Sequence, residues 1–132
     1  MRMKRRNVFA TLMLGFFALS LTVTAGEKTS AYQPGKLPAE VNEIIQQKCF
    51  GCHNTDSRND KAKEKLDFKT LDDLTAIKKV SAYNKITEEL EKKEMPPEKF
   101  LEHFPDKNIT EDERTALMDW AKKEAEALVK GM

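Results

Sequence analysis

Both cysteines of the chain lie in one five-residue segment, Cys49-Phe50-Gly51-Cys52-His53. Two thiols three residues apart with a histidine directly after them form C-x-x-C-H, the attachment pattern of a c-type haem. The spacing suits the chemistry. Each thiol can add to one of the two vinyl groups on one edge of a porphyrin, giving a thioether. The histidine is then held beneath the ring, where an imidazole nitrogen can bind the iron. Gly51, without a side chain, suits a close approach of backbone to macrocycle. Two other chemistries use the same residue types. A Cys49–Cys52 pair could form a disulfide or a thiol-redox couple, but redox C-x-x-C motifs follow a strand and open a helix. Here the cysteines close a helical pattern and no alternating strand pattern lies nearby. Zinc could recruit Cys49, Cys52, His53 and His103, although the adjacent Cys52 and His53 would struggle to fill two corners of one tetrahedron.

An iron held on one face by His53 either takes a second ligand or keeps that position open. Outside the N-terminal segment the candidates are Met95, Met118, Met132 and His103. Met95 is the first choice. It lies 42 residues after His53 in Lys93-Glu94-Met95-Pro96-Pro97, at the end of a charged helical stretch, where two prolines stop the helix and stiffen the chain. His103 in Glu102-His103-Phe104-Pro105 is the rival. Met118, beside Trp120, reads as core or surface, and Met132 is the last residue. The choice matters, because a methionine sulfur raises the iron's potential, a histidine lowers it, and an open site admits a gas or peroxide.

The elements that must position these groups are helical. A first helix is expected from Pro38 to about Lys48, with Val41, Ile44, Ile45 and Lys48 on one face delivering Cys49. Asn54 to Lys65 is polar and turn-rich, a surface loop by composition. Leu66 and Phe68 resume apolar contact. A helical region from about Leu71 to Glu94, capped by Thr70 or Asp72, carries one stripe of Leu74, Ile77, Val80, Tyr83, Ile86 and Leu90, with a possible break near Ser81. Its other face is charged and reads as solvated. Thr110-Glu111-Asp112-Glu113 is a capping box opening a last helix, with Leu117, Trp120, Ala121 and Leu128 on one side. No strand signals or internal repeats appear, so the expected fold is all-α.

Residues 1–25 read as a secretory signal. Arg2, Lys4, Arg5 and Arg6 precede an apolar run of 16 residues, Val8 to Val23, and small residues at Val23 and Ala25 offer a cleavage point. The run is shorter than the roughly 20 residues of a spanning helix. Residues 26–37 read as a flexible lead-in and 38–132 as one domain. Removing the signal takes four basic residues and no acidic ones. Lys plus Arg falls from 23 to 19 against 22 Asp plus Glu, and the net charge moves from +1 to −3. That disfavours a nucleic-acid partner. With 34% charged and 8% aromatic residues, the domain has a thin core, which small exported domains commonly supplement with a cofactor.

The order of these features resembles small exported c-type cytochromes, specifically the bacterial haem-binding-domain family of monohaem proteins. The resemblance runs from about Ala39 to Leu128 and rests on Cys49, Cys52 and His53, on Leu66-Asp67-Phe68, on Met95-Pro96-Pro97, and on Ile109-Thr110 through Trp120. It implies a cytochrome c-like helical domain packed around one covalently attached haem c, with thioethers at Cys49 and Cys52, His53 as proximal ligand and Met95 as distal ligand. Two departures touch the haem edge. Asn54 to Lys65 lacks the aromatic residues many members carry after the attachment histidine, and Phe104 separates His103 from Pro105 where members tend to have His-Pro.

Together these features give an expectation of a periplasmic monohaem cytochrome that is not an enzyme and passes single electrons between redox partner proteins of the cell envelope. No membrane span is expected after signal cleavage. A haem-based ligand-binding or sensor protein with an open or displaceable sixth position is the second reading, and a peroxidase-like enzyme the third.

Overall fold

The structure, a computed structural model, describes residues 35–132. The expected signal and all but the last three residues of the lead-in lie outside the described residues. Among the described residues every regular element is helical, as the apolar periodicities require.

Helix α1 (Ala39–Ile44) begins after Pro38, which serves as the N-cap rather than the first helical residue, its carbonyl accepting the Asn42 N–H at 2.9 Å. The helix widens into a π turn over Ile45–Cys49, closed by the Phe50 N–H on the Ile45 carbonyl at 2.8 Å. This i→i+5 turn inserts an extra residue into the helical register just before the Cys49–His53 segment. Val41, Ile44 and Ile45 are buried, and the expected first helix is thus present with a different final turn.

The segment expected as a surface loop is only partly one. Asp60–Lys65 form helix α2, whose N-cap Asn59 accepts the Ala62 N–H through its side chain at 3.1 Å. At six residues it buries none of its own side chains, so no apolar period announces it. Only Asn59 in front of it carried a start signal.

The long helical region also begins later than its pattern suggests. Leu71–Asp73 make a short 3₁₀ turn, the chain extends at Leu74 and Thr75, and α3 runs unbroken from Ala76 to Glu91, straight through Ser81. Neither Thr70 nor Asp72 caps it. Thr75 occupies the N-cap without a side-chain bond. Ile77, placed in the stripe by spacing, is 74% exposed. It lies in the first turn of α3, and burial begins further along, at Tyr83, Thr87 and Leu90.

At its C-terminus α3 closes with paired bonds, Lys93 N–H to Leu90 carbonyl at 3.1 Å and Glu94 N–H to Glu89 carbonyl at 3.0 Å. This is a Schellman motif, with Lys93 at φ 56° where glycine is usual. The motif turns the chain sharply out of α3 and into Met95-Pro96-Pro97, whose Met95–Pro96 bond is cis. A single turn, α4 (Glu98–Leu101), and a 3₁₀ turn at Pro105–Lys107 follow.

Helix α5 (Glu111–Gly131) opens with the capping box as expected. The Glu113 N–H donates to Thr110 Oγ1 at 3.2 Å and the Thr110 N–H to the Glu113 carboxylate at 2.8 Å. It packs antiparallel to α3. Arg114 Nη1 donates to the Leu90 carbonyl at 3.0 Å near one end, and Trp120 meets Tyr83 edge-on at 5.3 Å further along. The core is drawn mainly from α1, α3 and α5, with Leu71 and Ile109 added from the connections. A guanidinium near the C-terminus of α3 also complements that helix's dipole. No helix among the described residues is long and apolar enough to cross a membrane.

Candidate functional site

The π turn ends where the chemistry-bearing residues begin. The Cys49 carbonyl accepts the N–H of both Cys52 and His53 at 3.1 Å, so the two thiols and the imidazole leave one tight turn. Asn54, buried, reinforces it. Its side-chain N–H donates to the Phe50 carbonyl, and its side-chain oxygen accepts the Asp56 N–H at 2.8 Å.

His53 is held from the other side by residues beyond the turn. Its Nδ1 lies 3.1 Å from both the Ala62 and the Leu66 carbonyl oxygens. Two carbonyls can only accept, so Nδ1 carries a proton, and in the neutral imidazole Nε2 keeps its lone pair. Nε2 makes no hydrogen bond with any described residue. An N–H held by a backbone carbonyl is the usual way a metal-binding imidazole is oriented. Phe68 completes the clasp, its N–H donating to the His53 carbonyl at 3.1 Å and its ring standing edge-on to the imidazole at 6.4 Å. The Leu66-Asp67-Phe68 segment is therefore the support of His53. Asp67 pins this stretch to the preceding loop, accepting from the Thr55 hydroxyl at 2.7 Å and the Lys69 N–H at 2.8 Å. The Thr55 bond is the main cause that holds its carboxyl below the usual range.

Cys49, Cys52, His53 and Met95 all line one cavity of about 420 Å³, within the range of cofactor sites, roughly 300–1,000 Å³. Its wall is mostly apolar, with Leu66, Phe68, Ile86, Leu90 and Phe100 among the contributors. The remaining candidates fall elsewhere. His103 is exposed and outside the wall, Met132 is exposed, and Met118 packs against the core rather than the cavity.

Cys49 and Cys52 are not bridged. Burial, helped by the nearby Cys52 and Glu113, pushes the Cys49 thiol up to about 12. Burial thus disfavours the Cys49 thiolate. Among the described residues no group of three or more His, Cys, Asp or Glu side chains is arranged to hold a metal ion, which removes the four-ligand zinc site.

The residues fit a haem. An apolar enclosure, two thiols and an imidazole on one turn, a free Nε2 and a thioether in the same wall meet its needs. Trp120 also contributes to that wall. Its indole N–H is buried without a hydrogen-bond partner. Sequence reasoning placed Trp120 in the core but missed α2 as the holder of His53.

The sequence model described as the haem-binding domain matches residues 57–123, just over half of the chain, beginning four residues after His53. No curated protein and no solved structure matches the chain significantly. On the strength of that family match, borne by the stretch that builds α2, α3 and most of α5, the chain belongs to the haem-binding domain family.

Proposed function

We propose that the protein is an exported monohaem cytochrome c and carries single electrons between redox proteins of the cell envelope. The observation that carries this reading is the state of His53. Its Nδ1 is fixed by two carbonyls and its Nε2 is left free, in the wall of a cavity shared with Cys49, Cys52 and Met95. In this reading Cys49 and Cys52 would hold a haem through thioether links to its vinyl groups. His53 Nε2 and the Met95 sulfur would hold the iron. When bound, haem supplies a one-electron Fe(III)/Fe(II) couple.

The protein's share is to hold and tune. The Ala62 and Leu66 carbonyls strengthen the imidazole as a donor. The apolar wall excludes water and, with a thioether ligand, favours the reduced iron. A peroxidase-like reading needs a distal acid–base group, and His103, the residue expected to supply it, is not in the cavity wall.

The test is spectroscopic. Protein made in a periplasm with haem-maturation machinery is reduced and exposed to carbon monoxide, with and without Met95→Ala. An electron carrier with both axial positions filled ignores the gas, while Met95→Ala binds it and loses the long-wavelength band of methionine-ligated ferric haem. Rapid carbon monoxide binding by the parent would favour a sensor with an open or displaceable position.

A further inference from the structure

Haem is apolar except for two carboxylates, and a cavity walled mostly by apolar side chains must meet those charges at its rim or leave them to water. Three cations line the cavity, Lys48, Lys65 and Lys85. Two are engaged. Lys48 Nζ donates to the Asp106 carbonyl at 2.6 Å, and Lys85 Nζ pairs with Glu88 at 3.0 Å and Glu89 at 2.9 Å. Glu89 is the one acidic residue in the wall, and the Lys85 contact, its chief perturbation, holds its carboxyl below the usual range.

Lys65 differs. It makes no hydrogen bond or close ion pair with any described residue, and its charge acts on Glu89 only from beyond ion-pair distance. It is also the last residue of α2, directly before Leu66, whose carbonyl holds His53 Nδ1. The clasp that fixes the imidazole therefore fixes the backbone of this lysine as well, and its side chain, exposed at the cavity edge, is free to reach a group bound at His53.

We propose that Lys65 is the cation that binds a carboxylate of the haem, closing the polar side of the cavity. The proposal rests on the haem reading above and adds to it a residue and a role. A cation paired with the group disfavours the extra positive charge of Fe(III), so Lys65 raises the midpoint potential as well as seating the ring.

The test uses haem-loaded protein and compares the parent with Lys65→Gln, Lys65→Arg and Lys61→Gln. Lys61 lies on the same helix but outside the cavity wall. Lys65→Gln is expected to keep its covalent haem, to show a lower midpoint potential than the parent, and to shift the NMR signals of the methylenes beside one haem carboxylate in the reduced protein. Lys65→Arg is expected to restore both and Lys61→Gln to change neither. The proposal fails if Lys65→Gln matches Lys61→Gln in both readouts. It fails equally if the potential drops while the methylene signals stay put, since the charge then acts only through space. Absence of covalent haem from the parent is a separate result, overturning the haem reading and this proposal with it.

Discussion

At His53 the two ring nitrogens face different surroundings, Nδ1 shared between two carbonyls and Nε2 unclaimed, and that asymmetry makes the residue a ligand candidate rather than a core histidine. Tyr83 carries a second residue-scale consequence. Burial, with the charges of Glu124 and Asp72 behind it, raises its hydroxyl from 10.0 to about 12. The unfolded chain therefore loses this proton near pH 10 while the folded chain keeps it to about pH 12. Stability from this group is full below pH 10 and falls as pH rises through that window, by an amount on the order of 2 kcal/mol. Tyr83→Phe should unfold in guanidinium chloride much as the parent does at pH 8, because the ring keeps its edge contact with Trp120. At pH 11 the variant should lose less stability than the parent. Equal losses at pH 11 would show that the hydroxyl does not titrate in this way. Cys49, Cys52, His53 and Met95 were singled out from type and spacing alone, and the structure brings them into one cavity wall. The tautomer of His53 was not, because it depends on carbonyls 9 and 13 residues further along the chain.

Among the elements, α2 shows most clearly where sequence patterning stops. Its six residues bury nothing, so neither period nor composition separates it from a loop, yet its Ala62 carbonyl helps orient the imidazole. Asn59→Ala removes its side-chain N-cap and should cost about 1 kcal/mol in a thermal or denaturant melt. In haem-loaded protein it should also raise the midpoint potential, because a slackened Nδ1–H bond makes the imidazole a weaker donor to Fe(III). An unchanged potential alongside the lost stability would mean that His53 is held without α2. Helix α5 was the opposite case. Its capping box, Thr110 with Glu113, is a local signal that tertiary packing had no reason to override. The shifted start of α3 and the exposed Ile77 sit between these extremes. The apolar spacing was real, but the chain extends at Leu74 and Thr75 and leaves the first turn of α3 outside the packed region.

For the molecule as a whole, the core is small and unevenly placed. It gathers between α1, α3 and α5, while His53, Met95 and the clasp around them border a large apolar cavity. Such a wall is costly to expose to water, at roughly 25 cal/mol per Å² of apolar surface, so the group that fills it also contributes to folding. The Cys49→Ala, Cys52→Ala double variant should accordingly show little cooperative structure by circular dichroism and melting. A compact, cooperative melt would show that the helices suffice. Two buried polar groups at the periphery of this core, Arg114 on the Leu90 carbonyl and Glu124 on the Gly35 N–H at 3.1 Å, had no sequence signature, since their partners are backbone groups far along the chain. The all-α class, by contrast, followed directly from the apolar periods.

The central claim is that the turn from Cys49 to His53 carries a covalently bound haem, and the intact mass of the protein purified from a haem-maturing periplasm tests it most directly. The expected result is the chain plus one haem, unchanged by acid–organic extraction and carried after proteolysis by the peptide containing Cys49, Cys52 and His53. A mass equal to the bare chain, or a haem removed completely by extraction, would contradict it.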